Sequence, residues 1–517
     1  MSVVSNITIQ FYELLKARWK YLIALAIVVL IATIFFFQFN PIPKKLIVFV
    51  FCLSSVPIFF VKEKLETSAL CCILILGTAF TFITPVLDTP DEPSHLARAF
   101  YVAEGNLGMS DKTADLEVSK DYQSMNERVK QTWKNDLKSV KPSNEKQAQV
   151  YITTTSTYSF ISYLPQAMGL IIGKTLSLGL YWTFYLGRIF NLIVYALLAY
   201  LAIKKVKYYK VMFTAIALFP MSIYLSASYS QDAFANGLIL LTCAYLVNFL
   251  FSPRKIDYKE LFIFFTLCLV MISCKLPYVL LSGILIFIEP KKYKNKKTYM
   301  TALALLAVLV LGTLLWYLYY STIQPVHRGA QVNPSEQLSF MKNNLFVSIR
   351  VLITALVESI NIFQMNFRFG WLKYFSAHVG LLYLAYFGGL CLFFPFNIKK
   401  KLSSLNKYGL GLIILGVMVM IILSQYLTWT PVGELTVVGV QGRYFIGLFV
   451  LIPILTNVSD FFYKQKIDPE LNDITEPHIE NQLEETSLSV ENNIWLISVS
   501  ICFVVSMMIF TIAFYNI

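Results

Sequence analysis

Three acids fall within five residues in the stretch Asp88-Thr-Pro-Asp91-Glu92-Pro93-Ser94-His95-Leu-Ala-Arg98. With His95 and Arg98 beside them, the segment holds a base, a partner and a cation, which is the inventory of a catalytic site. A plainer reading stands next to this one. Pro93 fits the first turn of a helix and Gly105 can end it. Asp91 and Glu92 would then lie at the helix N-terminus, where unpaired N–H groups stabilise anions, and His95 would only satisfy the cap. A cap needs one acid, however, and here there are three. If the helix turn begins by Asp91, then Asp91, His95 and Arg98 share one face.

The elements that must position these residues are written in the composition. Of 517 residues, 57% are apolar and 14% charged, against about 45–50% and about 25% in soluble domains. A soluble enzyme and a disordered chain are both excluded. Apolar runs at about 21–38, 46–61, 68–87, 181–203, 211–228, 233–251, 260–274, 276–289, 300–320, 376–397, 408–428, 441–457 and 494–516 predict an all-α integral membrane protein of about thirteen transmembrane helices. The net charge of +13 gathers in stretches such as Lys204–Lys210 and Lys291–Lys297. The short loops on the other side hold only Lys44, Lys45, Lys275 and Arg443. That asymmetry predicts a cytoplasmic N-terminus and accounts for the charge without nucleic acid. Four parts follow: a tail and hairpin over 1–67, a membrane domain over 68–457, an acidic cytoplasmic linker over 458–493, and a last span over 494–517. The outer loops are 88–180, 321–375 and 429–440. Within them, 159–180 predicts a helix in or dipping into the outer leaflet, and 340–365 an interfacial helix.

On this topology Arg443 and Lys275 lie at outer span ends, and Arg188 about two turns inside its span. Ionisable groups there are costly and usually functional, although Arg443 could snorkel to headgroups and Lys275 could be an interface anchor. Gln441 stands two residues before Arg443. Asp232 and Asn236, one turn apart, could bind sugar hydroxyls or cap a helix. Trp371 could stack on a sugar or join an interfacial belt. His327 and His378 are isolated, His478 falls on the cytoplasmic side, and no metal-ligand spacing occurs, so neither metal nor other cofactor is expected.

The segment PDEPSHLARAFYVAEGNL resembles the signature of a family of bacterial multi-pass membrane proteins of unassigned function. That family is related to the GT-C glycosyltransferases, which use polyprenyl-phosphate sugars. LGRIFN (186–191), SYSQDAFANG (228–237), KLPY (275–278), FRFGWLKYF (367–375) and QGRYF (441–445) agree in order and spacing. The likeness covers about 68–457. It departs from a typical GWLD sequence in having Lys373 after Trp371-Leu372, which leaves an acidic role there unsupported.

The resemblance implies a GT-C-like fold and an acidic residue of the first large outer loop as catalytic base. Asp91 is the first choice, Glu92 the second and Asp88 the third, and either of the first two could instead orient the acceptor. The leaving polyprenyl phosphate calls for cations, for which Arg443, Arg188 and Lys275 are the candidates. His95, Arg98, Asp232, Asn236, Gln441 and Trp371 would support the substrates. The expected activity is inverting transfer of one sugar to a cell-surface glycan or glycolipid on the outer face of a bacterial plasma membrane. The rivals are a transporter or flippase of a lipid-linked glycan, and a glycan polymerase or ligase. A transporter would place its charges near mid-membrane and often shows repeats, neither of which the sequence shows.

Overall fold

At hydrocarbon depth no water is available to the backbone, so each apolar run must satisfy its own N–H and C=O groups by coiling. The computed structural model describes residues 2–517 apart from 109–114, 144, 146–149, 152–154, 156–157, 324–330, 362–364, 395, 397–401 and 457–489. Most of the expected linker 458–493, with His478, and also His327, therefore lie outside the described residues. The described chain is an all-α, membrane-type fold with two short antiparallel strand pairs, Asp115–Leu116 with Val150–Tyr151 and Arg368–Phe369 with Tyr374–Phe375.

Among the described residues, seven helices are long and apolar enough to cross a bilayer: Tyr12–Phe36, Leu65–Ile83, Gly179–Lys205, Asp232–Phe251, Lys296–Tyr319, Ser404–Thr428 and Val490–Tyr515. Counting Pro334–Asn343 with Leu345–Glu358, a pair bent by 112°, makes eight. Not all of the thirteen expected runs meet this measure, because hydropathy does not register length or breaks. Lys44–Phe60, Tyr258–Cys274 and Ala377–Phe393 have 17 residues each. Such a helix rises about 26 Å, short of a core about 30 Å thick. Run 211–228 divides at Pro220 into Lys210–Ala217 and Pro220–Ser226. Runs 276–289 and 441–457 open as tight 3-10 turns, Leu276–Gly283 and Gly442–Leu451. Nine of the ten residues in the latter are buried with Tyr444 the exception, the setting in which irregular backbone is tolerated at membrane depth.

Leu65–Ile83, Gly179–Lys205 and Asp232–Phe251 form the centre, and every residue of the last but Phe234 is buried. Glycine lets these helices approach: a Cβ at Gly77 would come within 2.3 Å of Leu192. Leu164–Thr175, the helix expected to dip into the leaflet, lies against Gly179–Lys205. There a Cβ at Gly169 or Gly173 would sit 2.5 Å from Leu186 O or Thr183 Oγ1. The last helix, Val490–Tyr515, packs among Ser2–Phe36, Lys44–Phe60 and Leu65–Ile83. Phe510 stacks on Phe36 at 4.3 Å. One end of the bundle thus collects Ile83, Gly179, Asp232 and Tyr515, and the other collects Leu65, Lys205, Phe251 and Val490.

Candidate functional site

The first of these ends carries all six motif segments. Pro93 enters the first turn of helix Glu92–Ala103, and Gly105, at φ 89°, closes it. Asp91 is the N-cap residue with a left-handed φ of 62°, yet its side chain caps nothing. Its carbonyl accepts from His95 N–H, and its carboxylate is turned away from the helix toward Arg443.

The three acids meet three different fates. Glu92 is sealed, with no exposed side-chain surface. Its Oε1 accepts from Arg188 Nε at 2.9 Å and Tyr229 N at 3.0 Å. Its Oε2 accepts from Arg188 Nη2 at 2.9 Å and Thr89 N at 3.2 Å. Arg188 also donates to the carbonyls of Thr81, Thr84 and Pro85. Those contacts occupy all five guanidinium N–H groups. Arg188 therefore has no donor left for a phosphate, and Glu92 no lone pair left for a proton. The pair is a buried brace, which corrects the expectation of Glu92 as base and Arg188 as phosphate ligand.

Asp88 is equally buried. Its Oδ1 accepts from Tyr515 Oη, its backbone carbonyl accepts from Trp371 N at 2.9 Å, and its Oδ2 has no partner among the described residues. Burial pushes this carboxyl up to about 7; the Tyr515 hydrogen bond opposes that and the neighbouring Glu92 adds to it. Fully buried, Asp88 is placed as a packed acid and not as a base for an incoming substrate. The sign of its effect follows. The folded chain holds a proton that the unfolded chain releases near 4, so stability falls as pH rises from about 4 to about 7. Asp88→Asn removes that slope. Between pH 5 and pH 8 the melting temperature of the variant should climb relative to the parent, by an amount worth up to roughly 3 kcal/mol. A parallel offset at both pH values would show that Asp88 does not titrate in this window.

Asp91 alone of the three reaches solvent, its side chain 33% exposed. Its Oδ2 lies 2.8 Å from Arg443 Nη2, and Arg443 Nη1 lies 3.2 Å from Asp232 Oδ2. Asp232 Oδ1 in turn takes Lys275 Nζ at 2.5 Å. Four charges therefore alternate in a row, anion to cation, with Asp91 at the open end and the other three buried. Gln441 holds Arg443 by accepting from Nε at 2.8 Å. Tyr444 lies under both cations, 5.3 Å from the Arg443 guanidinium and 5.2 Å from Lys275 Nζ. Arg443 keeps one N–H on each Nη beyond its carboxylate bonds, and Lys275 keeps two. Asp232 is not the cap its position suggests; it is the junction of the row.

His95 flanks this row, its Nδ1 2.8 Å from Tyr163 Oη. Burial pushes the imidazole down to about 4, against the pull of Asp91, so the ring is neutral at pH 7. Arg98, on the same helix, leaves that company and lies over the Tyr101 ring at 5.4 Å. Asn236 is buried with no partner for its Nδ2 among the described residues. Trp371 stands at the tip of the Arg368–Phe375 hairpin, 44% exposed, with Nε1 donating to Leu87 O at 3.1 Å. The left-handed Gly370, Trp371 and Leu372 make this turn. His378 lies apart, edge-on to Phe35.

Two further residues contribute: Asn191, which closes LGRIFN, and Tyr515, which carries no sequence signal. Asn191 donates to the carbonyls of Ser228 and Ser230, which fixes the turn ahead of Asp232. Tyr515 comes from the last helix. Gly187, in LGRIFN, leaves room for Tyr229, whose Oη would be 2.1 Å from a Cβ there.

Residues 74–452 match the family described as predicted membrane protein (DUF2142), and the chain belongs to that family. No curated protein and no solved structure matches the chain.

Proposed function

We propose that this chain is a glycosyltransferase of GT-C type in a bacterial plasma membrane. It moves one sugar from a polyprenyl-phosphate donor to a cell-surface glycan or glycolipid at the outer face. The observation that carries the proposal is the exposure of Asp91 beside two buried cations, while Asp88 and Glu92 are sealed. An acceptor hydroxyl gives its proton to the Asp91 carboxylate as its oxygen attacks the anomeric carbon from the face opposite the phosphate. The bond from the anomeric carbon to the phosphate oxygen breaks in the same displacement, with inversion. Arg443 and Lys275, through their remaining N–H groups, meet the charge that grows on the departing polyprenyl phosphate. Asp232 and Gln441 hold those cations in place, and the Glu92–Arg188 brace fixes the turn that presents Asp91.

The guanidinium fork is the specific element. Arg443→Lys keeps the charge and loses the fork, and should raise KM for the polyprenyl-phosphate donor about tenfold, with KM for the acceptor nearly constant. Equal kinetics at low donor concentration would remove Arg443 from the donor site. Whole cells test the activity itself. Loss of a side-chain sugar from the surface glycan on deletion supports the transferase. Shortened chains would point to a polymerase or ligase, and lipid-linked glycan trapped inside to a transporter.

A further inference from the structure

A cavity of about 520 Å³ opens at the other end of the bundle, between the starts of Leu65–Ile83 and Val490–Tyr515 and the finishes of Gly179–Lys205 and Asp232–Phe251. Each central helix spans the distance between this cavity and Asp91, roughly 30 Å for 20 residues. Six basic side chains line it against three carboxylates. Two of the bases are matched, Lys205 to Glu260 at 2.8 Å and Lys210 to Glu66 at 3.5 Å. Lys64, Lys204 and Lys207 pair with no carboxylate among the described residues. The wall between them is fixed, because Asn248 receives Lys207 N–H and donates to Lys205 O.

A second feature points to a ligand. Asn493 lines the same cavity, is 1% exposed, and donates through Nδ2 to the carbonyls of Lys62 and Glu63. Those two bonds settle which atom is the oxygen, and that Oδ1 has no partner among the described residues. A buried acceptor without a donor costs free energy unless something supplies one. Lysines that only orient a chain in the membrane need to flank its spans. They need not ring a cavity that also holds an orphaned buried acceptor.

We propose that this cavity binds a phosphate ester bearing a hydroxyl group, the anion facing Lys204 and Lys207 and the hydroxyl donating to Asn493 Oδ1. A soluble phosphorylated polyol and the headgroup of an anionic phospholipid share that chemistry. The proposal does not depend on the transfer reaction at Asp91.

The test uses the full-length chain in phosphatidylcholine nanodiscs, with binding measured calorimetrically for glycerol 1-phosphate and for dioctanoyl phosphatidylglycerol. At least one should bind. Lys204→Gln with Lys207→Gln should weaken that binding about tenfold or more, at roughly 1 kcal/mol per lysine. As a control, Lys294→Gln with Lys297→Gln removes the same charge from exposed positions at the same end. It should change binding less than about twofold. Asn493→Ala should weaken the hydroxyl-bearing probe and leave inorganic phosphate unaffected. Binding of the lipid alone assigns the headgroup, and binding of glycerol 1-phosphate assigns the soluble ester; both support the site. Failure of both probes to bind, or equal weakening by the two lysine pairs, would overturn it.

Discussion

Arg188→Ala is expected to destabilise the chain more than any other single change at the site, by about 3–5 kcal/mol. The guanidinium is fully buried, and its five donors reach Glu92 and the carbonyls of Thr81, Thr84 and Pro85. Removing it leaves a buried carboxylate held only by the N–H groups of Thr89 and Tyr229, and three carbonyls with a vacancy where water cannot easily enter. Those carbonyls end helix Leu65–Ile83 and begin the turn that leads to Asp91, so the damage is local to the site as well as global. Glu92→Gln should cost less, because the amide keeps one acceptor oxygen. The double variant Glu92→Gln/Arg188→Met should lose less than the two single losses added together, since the second change no longer strands a charge. Thermal unfolding in nanodiscs measures all three. An Arg188→Ala protein that melts with the parent would mean the brace does not hold the turn. Survival of the variant with a raised donor KM would return Arg188 to phosphate binding.

That brace shows where the sequence was readable and where it was not. The helix after Asp91 was legible from Pro93 and Gly105, because caps and stops are local chemistry. Which acid faces outward was not, since it depends on Arg188, 96 residues from Glu92. Hydropathy found the apolar runs but not their breaks. Pro220 and the 3-10 turn Gly442–Leu451 interrupt runs of unchanged polarity. Asp232 looked like a cap because it opens a helix. Its partners Lys275 and Arg443 arrive from two other segments, and pairing across segments leaves no trace in spacing. Arg443 and Lys275 stand out in the sequence for a different reason: a lone base in an otherwise base-poor stretch is conspicuous. Tyr515 offered nothing at all. It is an ordinary aromatic at the end of an apolar run, and only the packing of the last helix against Leu65–Ile83 brings its hydroxyl to Asp88.

Asp91→Asn should reduce transfer by about 10²–10⁴-fold, the usual contribution of a general base, and leave the fold intact. The substitution suits this position unusually well. Asp91 sits at φ 62°, a conformation that Asn shares with Asp and that β-branched residues avoid. Its amide oxygen can still accept from Arg443 Nη2, and Asp232 still faces the other side of that guanidinium. What is lost is one negative charge and the lone pair that takes the proton. The row then carries two cations against one anion, which favours a phosphate donor. The reading as base therefore predicts a split: kcat collapses while the donor KM holds or falls, the signature of a group used in the transition state and not in ground-state binding. An acid that only orients substrate gives the opposite pattern, a raised KM for the acceptor with kcat little changed. Asp91→Glu separates the two further, since it restores the charge and the proton acceptor one methylene out of place. It should recover part of the rate if the group is a base. Transfer from a polyprenyl-phosphate sugar by the purified variants, at saturating and limiting donor, distinguishes these outcomes. Activity of Asp91→Asn within tenfold of the parent would exclude Asp91 as the base.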